Sequence, residues 1–166
     1  MKIASWAFEH NSKIPQKYTC DGENINPPLE FLQTPVNAKS LALVVDDPDA
    51  PSKTWVHWVV FNIDPKTNLI SENSKPEGAV EGTTSFGKPG YGGPCPPPAS
   101  PALPWRGRPE NLQRGESGTH RYFFKLYALD SLLNLPIGSE RARIEIAMLG
   151  HIIDRAELVG LYSKKH

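Results

Sequence analysis

Two apolar runs and one stretch of alternating polar and apolar positions predict three main strands in this chain. Residues 41–45 are continuously apolar and end at acidic residues and a proline, as expected for a buried strand that leads into a turn. Residues 55–63 are β-branched or aromatic on both alternating faces, which is typical of a central strand covered on both sides. In residues 120–129, Arg121 and Lys125 occupy one face and apolar side chains the other, which predicts a strand with one polar face.

The remaining pattern predicts loops and a little helix. Residues 64–90 are polar and rich in glycine, so we expect loops with at most short strands. Ser139 is expected to cap a helix that runs to about Leu149, with Ala142, Ile146 and Leu149 on its apolar stripe. A glycine interrupts this helix, and a second short helix is expected after it. The pattern therefore predicts a mostly β domain with a small C-terminal helical element.

Length and charge narrow the class of protein. A chain of 166 residues suits one domain with its own core. Lys plus Arg and Asp plus Glu number 18 each, so no net charge attracts nucleic acid or an anionic membrane. No stretch reaches the length of a membrane span, and the N-terminus lacks the apolar run of a secretory signal. We therefore expect a cytoplasmic protein without stable membrane insertion and without a nucleic-acid partner.

Cys20 and Cys95 are too few for a disulfide scaffold or a cysteine-based zinc site. Both lie in turn-like sequence, so a single disulfide between them is compatible with the pattern. In a reducing cytosol two free thiols are the simpler expectation.

Two polar motifs contain the candidate chemistry. The first is the acidic, proline-rigid run 46–51, which precedes His57 between two tryptophans. The second is the Gly-Gly-Pro-Cys-Pro-Pro run 92–97, and the strand that begins at His120 follows it in the chain. An ordinary aspartate turn and a hydrogen-bonded core histidine would explain the same residues. If the fold joins the strand ends, however, the motifs form a small polar pocket.

Such a pocket suits a small oxyanion such as a phosphate group. Histidine N–H groups and the amides of Gly92, Gly93 and Cys95 are the candidate donors. Tyr122 adds a hydroxyl, and Asp47 accepts from a histidine ring nitrogen. The predicted ligand-binding residues are Asp47, His57, Gly93, Cys95, His120 and Tyr122.

A metal-dependent enzyme is the competing class. Asp47, His57 and His120 form a set of two histidines and one carboxylate that could hold iron or zinc, although their spacing matches no tight ligand motif. Nucleophilic catalysis has less support, because no Gly-x-Ser-x-Gly motif is present and Cys95 lies between prolines without a basic neighbour in sequence. We therefore expect a non-enzymatic protein without a cofactor.

Several ordered motifs together resemble one known family. They are Asp-Pro-Asp-Ala-Pro, Trp-Val-His-Trp, Gly-Tyr-Gly-Gly-Pro-Cys-Pro-Pro and His-Arg-Tyr-Phe-Phe-Lys-Leu-Tyr-Ala-Leu-Asp. The chain resembles the phosphatidylethanolamine-binding protein (Raf kinase inhibitor protein) family, and its prokaryotic branch most. The resemblance implies a single domain over 1–166 with a large antiparallel sheet, a second smaller sheet and short C-terminal helices. It also implies a pocket for phosphate-type groups in which Asp47, His57, His120 and Tyr122 match the family's residues, and the loop from Gly93 to Cys95 matches the pocket loop.

The same resemblance implies binding of a phosphoethanolamine-like ligand, or regulation of a kinase or a protease. Relatives in the prokaryotic branch also suggest a homodimer by analogy. Residues 99–119 depart from the family as an insertion rich in proline and glycine, beside the predicted pocket. They are either a solvated loop or the surface through which the protein would inhibit or regulate a partner.

Overall fold

Two β-sheets and one α-helix make up the fold in a computed structural model, which describes residues 1–97 and 118–164. Six strands form a sheet in the order β2-β9-β8-β4-β5-β7, and three form a second sheet in the order β1-β3-β6. All neighbouring strands are antiparallel except β2 and β9. The elements are β1 (Lys2–Ala4), β2 (Ser12–Lys13), a 3₁₀ turn (Gln16–Tyr18), β3 (Leu29–Leu32), β4 (Ser40–Asp47), β5 (Trp55–Ile63), β6 (Leu69–Ile70), β7 (Val80–Glu81), β8 (Thr119–Leu129), α1 (Arg141–Met148) and β9 (Ile152–Ser163).

The main core lies between the two sheets. One face of the large sheet contributes alternate residues of β4, β5 and β8, and the small sheet contributes residues of β1, β3 and β6. Because these strands are buried along one whole face, their register is strongly specified. The largest fully buried side chains of this core are Trp58, Tyr122, Phe124, Ile14, Leu29, Leu41, Leu43, Ile63, Ile70 and Leu126.

A second core lies on the opposite face of the large sheet, under α1. There Ile144 and Met148 of the helix pack against a cluster that includes Val44 and Phe61. Asp46 faces this side and is fully buried, and its Oδ2 accepts hydrogen bonds from the nearby cations Lys125 and Arg141 at 2.9 and 2.8 Å. Asp46 is therefore a structural carboxylate beneath the helix, which separates its role from that of its neighbour in sequence.

The predicted mostly β fold with a large antiparallel sheet and a smaller second sheet is confirmed. The strand predicted over residues 55–63 coincides with β5, and the predicted alternation in β8 is seen in its burial. The first predicted strand extends further than expected, because the two aspartates after residue 45 continue β4 and are buried. The turn itself begins only at Pro48.

The prediction for the C-terminal region is partly wrong. The helix ends at Met148 and packs through Ile144 and Met148, whereas Ile146 and Leu149 of the predicted stripe are 68% and 70% exposed. The sequence contains two apolar stripes with helical spacing. The stripe with Ile144 and Met148 packs on the sheet, and the predicted stripe with Ile146 and Leu149 faces solvent. The expected second helix is instead strand β9, which pairs with β8 along its length.

The prediction of an insertion at about 99–119 concerns a segment that lies almost wholly outside the described residues. Among the residues that are described, no helix is long and apolar enough to cross a membrane.

Candidate functional site

A β-bulge in β5 places His57 at the predicted site. Val45 lies opposite Trp58 and Asp46 lies opposite Val56, so His57 is the extra residue of the bulge. A regular strand would direct His57 and Trp58 to opposite faces of the sheet. In the bulged strand Trp58 enters the core between the sheets, and His57 packs edge-on against Tyr122, which belongs to that same core. Bulges redirect side chains in this way beside functional sites.

A cavity of about 300 Å³ opens at the ends of β4, β5 and β8. Five of the six predicted site residues line it, and Gly93 does not. The described residues that line it are Asp47, Ala50, Pro51, Trp55, His57, Phe86, Cys95, Pro96, Pro97, His120 and Tyr122. The topology therefore brings the two polar motifs of the sequence together.

His120 and Asp47 form a buried pair at the floor of this cavity. Nδ1 of His120 lies 2.7 Å from Oδ2 of Asp47, and both side chains are less than a tenth exposed. The other carboxylate oxygen, Oδ1, accepts the backbone N–H of Asp49 at 2.8 Å. Since the Nδ1–H of His120 donates to Asp47, Nε2 is the His120 nitrogen left for a ligand.

The tautomer of His57 is fixed by a backbone carbonyl. Nδ1 of His57 lies 2.6 Å from the carbonyl oxygen of Gly92, and because a carbonyl only accepts, Nδ1 has to carry the proton. Burial lowers the pKa of His57, although the Gly92 carbonyl and Asp47 oppose this shift. The neutral ring therefore presents an unprotonated Nε2 at the cavity, and the protonated ring presents an N–H donor there.

Tyr122 supplies a buried hydroxyl without a hydrogen-bond partner among the described residues. The side chain is 1% exposed, and its ring packs edge-on against His57 with 5.2 Å between the ring centroids. Burial also raises the pKa of Tyr122, so the hydroxyl keeps its proton. A buried hydroxyl without a partner costs free energy, and a ligand that accepts its hydrogen bond would offset that cost.

An ion pair holds the acidic turn that forms one wall. Both carboxylate oxygens of Asp49 accept from the Arg121 guanidinium at 2.9 Å, and Oδ2 also accepts the Arg121 backbone N–H at 3.0 Å. These hydrogen bonds from Arg121 lower the pKa of Asp49. The bidentate geometry fixes Ala50 and Pro51 in the lining, as expected for an Arg–carboxylate pair.

The glycine amides do not form the predicted anion cradle. The Gly92 N–H donates to the His57 carbonyl at 2.9 Å, and the Gly93 N–H donates to Asn24 Oδ1 at 2.8 Å. Gly93 does not line the cavity, and a Cβ added to it would lie 2.9 Å from Thr19 Cα in the loop behind it. Both amides are used within the protein, so their contribution is to hold the wall.

Cys20 and Cys95 form a disulfide, which overturns the expectation of two free thiols. Their Cα atoms lie 5.4 Å apart, and 75 residues separate them in sequence. The fold brings the two turns together through neighbouring contacts, including a hydrogen bond from the Cys20 N–H to the Pro94 carbonyl. Since Cys95 also lines the cavity, the disulfide belongs to the site.

The apolar walls of the cavity were not predicted. Trp55 and Phe86 meet edge to face with 5.6 Å between their ring centroids, and Phe86 also packs against His57. Trp55 had a usable signal, because it opens the strand that contains His57. Phe86 had none, because it lies alone in the glycine-rich region 64–90.

The residues proposed for the metal alternative do not form a metal site as arranged. Asp47 and His120 are hydrogen-bonded to each other, and Nδ1 of His57 is bound to a carbonyl. Across residues 1–97 and 118–164, no group of three His, Cys, Asp or Glu side chains has metal-binding geometry.

Two packed sheets with a small cavity at the strand ends, lined by two histidines and a tyrosine, define a class of β-fold pocket proteins. The family model for phosphatidylethanolamine-binding protein matches residues 4–104 and 109–163. This chain belongs to the phosphatidylethanolamine-binding protein family.

Relatives and solved structures agree with this assignment. The chain is 46% identical over 169 residues to a UPF0098 protein of Methanothermobacter thermautotrophicus, with 99% of each chain covered. It is 44% identical over 171 residues to the UPF0098 protein PH1269 of Pyrococcus horikoshii, with 99% of this chain and 77% of that one covered. The crystal structure of CT736 from Chlamydia trachomatis, a homologue of phosphatidylethanolamine-binding protein, superposes with a TM-score of 0.84 at 38% identity, covering 99% and 97% of the two chains. The crystal structure of Escherichia coli YbcL, a member of the mammalian phosphatidylethanolamine-binding protein family, superposes with a TM-score of 0.80 at 27% identity, covering 99% of this chain and 98% of that one.

Proposed function

We propose that this protein binds a small anion of the phosphate type in the cavity between β4, β5 and β8. The observation that supports the proposal is the convergence of His57, His120 and Tyr122 on one small cavity, with the buried Tyr122 hydroxyl lacking a hydrogen-bond partner in residues 1–97 and 118–164. Protonated imidazole nitrogens and a hydroxyl are the donors that a phosphate oxygen accepts. The carboxylates of Asp47 and Asp49 have cationic or N–H partners within the protein, because Asp47 accepts from His120 and Asp49 accepts from Arg121.

The group attached to the anion is expected to contribute much of the affinity. No arginine lines the cavity in the described chain, and its walls are Trp55, Phe86 and prolines. Free inorganic phosphate should therefore bind with a Kd of roughly 1 mM. A ligand that also covers the aromatic and proline surface should bind more tightly, because it buries apolar area.

We propose that the protein binds this ligand without catalysing a reaction on it. Within the described chain the cavity contains no serine, and its cysteine is in a disulfide. Regulation of a kinase or a protease through residues 99–119 stays a prediction from the family resemblance, as does a homodimer.

Replacing His120 with alanine is expected to weaken binding of phosphoethanolamine by roughly tenfold or more, because a charge-assisted hydrogen bond is lost. Titration of labelled protein followed by NMR would measure both the affinity and the residues affected. His151→Ala is a matched control, because His151 also pairs with an aspartate, Asp130, but lies exposed and away from the cavity. Equal affinities for the two variants, with wild-type affinity in His120→Ala, would contradict the assignment of the site.

Tyr122→Phe separates ligand binding from folding in the same experiment. It removes a buried hydroxyl that has no described partner, so the stability of the unliganded protein is expected to stay the same or rise. Its affinity for the anion should nevertheless fall. A variant that lost stability and kept its affinity would assign Tyr122 to the core alone.

Anion binding is expected to strengthen as the pH falls from about 8 to about 6, because His57 has to gain a proton before Nε2 can donate. Because its pKa is lowered, the His57 ring of the unliganded protein is mainly uncharged over most of that range. Sulfate is the suitable probe, since its charge stays constant there. His57→Gln, whose amide does not titrate, should show a weaker pH dependence.

The unliganded protein should show the opposite trend. Because burial lowers the pKa of His57, its contribution to stability is complete above the unfolded value of about 6.5 and is lost as the pH falls through the folded value. Thermal unfolding with and without sulfate at each pH measures both effects. A pH-independent sulfate affinity in the wild-type protein would contradict the role given to His57.

A further inference from the structure

One wall of the cavity, residues 91–97, holds both the ring and the backbone of His57 through hydrogen bonds. The Gly92 carbonyl accepts from Nδ1 of His57, and the Gly92 N–H donates to the His57 carbonyl. The position of this wall therefore determines where the His57 ring lies. The wall also supplies Cys95, Pro96 and Pro97 to the lining of the cavity.

A second loop, residues 18–24, supports this wall from behind. The Tyr91 hydroxyl donates to the Tyr18 carbonyl at 2.9 Å, and the Gly93 N–H donates to Asn24. The Cys20 N–H donates to the Pro94 carbonyl at 3.1 Å. These hydrogen bonds hold the wall only as far as residue 94.

The Cys20–Cys95 disulfide is the support for the last part of the wall. Pro96 and Pro97 have no N–H to donate, and no hydrogen bond joins residues 95–97 to the rest of the described chain. The covalent bond is thus the attachment that keeps this stretch at the mouth of the cavity. Without it, no hydrogen bond within the described chain holds the backbone of these three residues, and packing, including that of the buried Pro96, is what remains.

The disulfide is also open to attack. Cys95 is exposed and Cys20 is partly exposed, so a thiol in solution can reach the sulfur atoms. A dithiol reductant attacks with one thiolate to form a mixed disulfide, and its second thiolate then releases the protein. The reductant is oxidised to its disulfide, and Cys20 and Cys95 each gain one electron and one proton as free thiols.

We propose that the Cys20–Cys95 disulfide is a redox control on the anion cavity. The oxidised protein holds residues 95–97 in the binding arrangement beside His57. Reduction releases the wall and weakens the binding of phosphate-type ligands. This inference rests on the proposed function, and it adds a regulator of the same site.

The test compares oxidised and dithiothreitol-reduced full-length protein in NMR titrations with phosphoethanolamine. Reduction is expected to raise the Kd about tenfold, since a preorganised site becomes mobile, and reoxidation should restore the affinity. Cys20→Ser should bind weakly with or without reductant, and far-ultraviolet circular dichroism would confirm that it is folded. Equal affinities in the oxidised and reduced wild-type protein would overturn the inference.

A readout without ligand keeps this inference separate from the proposed function. Reduction alone should shift the imidazole resonances of His57, because residues 95–97 of the same cavity lining move and change the surroundings of its ring, while those of the distant His151 stay unchanged. If the oxidised protein fails to bind phosphoethanolamine, the proposed function is wrong. His57 resonances that do not respond to reduction would show that the disulfide does not control the site.

Discussion

Replacing Cys20 and Cys95 together with serine is expected to lower the free energy of unfolding by about 4 kcal/mol. The disulfide closes a loop of 75 residues, so it removes much conformational freedom from the unfolded chain. The loss is a large part of the total, since domains of this kind are stable by about 5–15 kcal/mol.

Urea denaturation followed by tryptophan fluorescence would measure this difference. The unfolded chain of the variant should be more expanded, so its dependence on urea should also be steeper than that of the oxidised protein. Wild-type protein in reductant is the matched comparison, and its stability should approach that of the double variant. A change below about 1 kcal/mol would mean that folded-state strain cancels the entropic gain.

Gly93→Ala is expected to destabilise the protein by about 3 kcal/mol, because its new methyl group meets backbone that cannot move aside. The added carbon would contact the Tyr18 carbonyl oxygen and would lie 2.6 Å from Asn24 Oδ1 and 2.9 Å from Thr19 Cα. Relief of these contacts requires the cavity wall to separate from the loop behind it. Anion affinity should therefore fall together with stability.

Gly92→Ala is the control, since it adds the same methyl group one residue earlier. There the added carbon meets the ring of Phe86, which is 42% exposed and can turn toward solvent. The expected destabilisation is smaller, at about 1 kcal/mol. Thermal and urea unfolding of both variants would check the difference, and equal losses would contradict the account of the Gly93 contact.

The strands that bury a whole face could be predicted from the sequence, and the half-exposed ones could not. β5 and β8 contain long β-branched and aromatic runs whose alternation has only one sensible reading. The first half of β9 is largely exposed and contains acidic and basic residues, so its pattern resembles a short surface helix. Its strand conformation depends on pairing with β8, which is a long-range contact that local pattern does not encode.

The polar residues of the site could be predicted from motifs, but their arrangement required the fold. Asp47, His57 and His120 can be predicted to lie together because they fall near the ends of predicted strands, and Tyr122 because it belongs to the His-Arg-Tyr motif. Nothing in the order of residues indicated that the amides of the glycine loop would be used within the protein. The disulfide escaped prediction for a different reason, because the expectation depended on the cellular compartment and not on geometry.

Because of the bulge at His57, the site depends on the number of residues in this part of β5 as well as on their identity. One inserted position lets a single strand present both His57 to the cavity and Trp58 to the core. A deletion of one residue here would restore regular pairing and turn the histidine toward the face covered by α1. Among homologues, the stretch from Trp55 to Trp58 should therefore vary in sequence far more readily than in length.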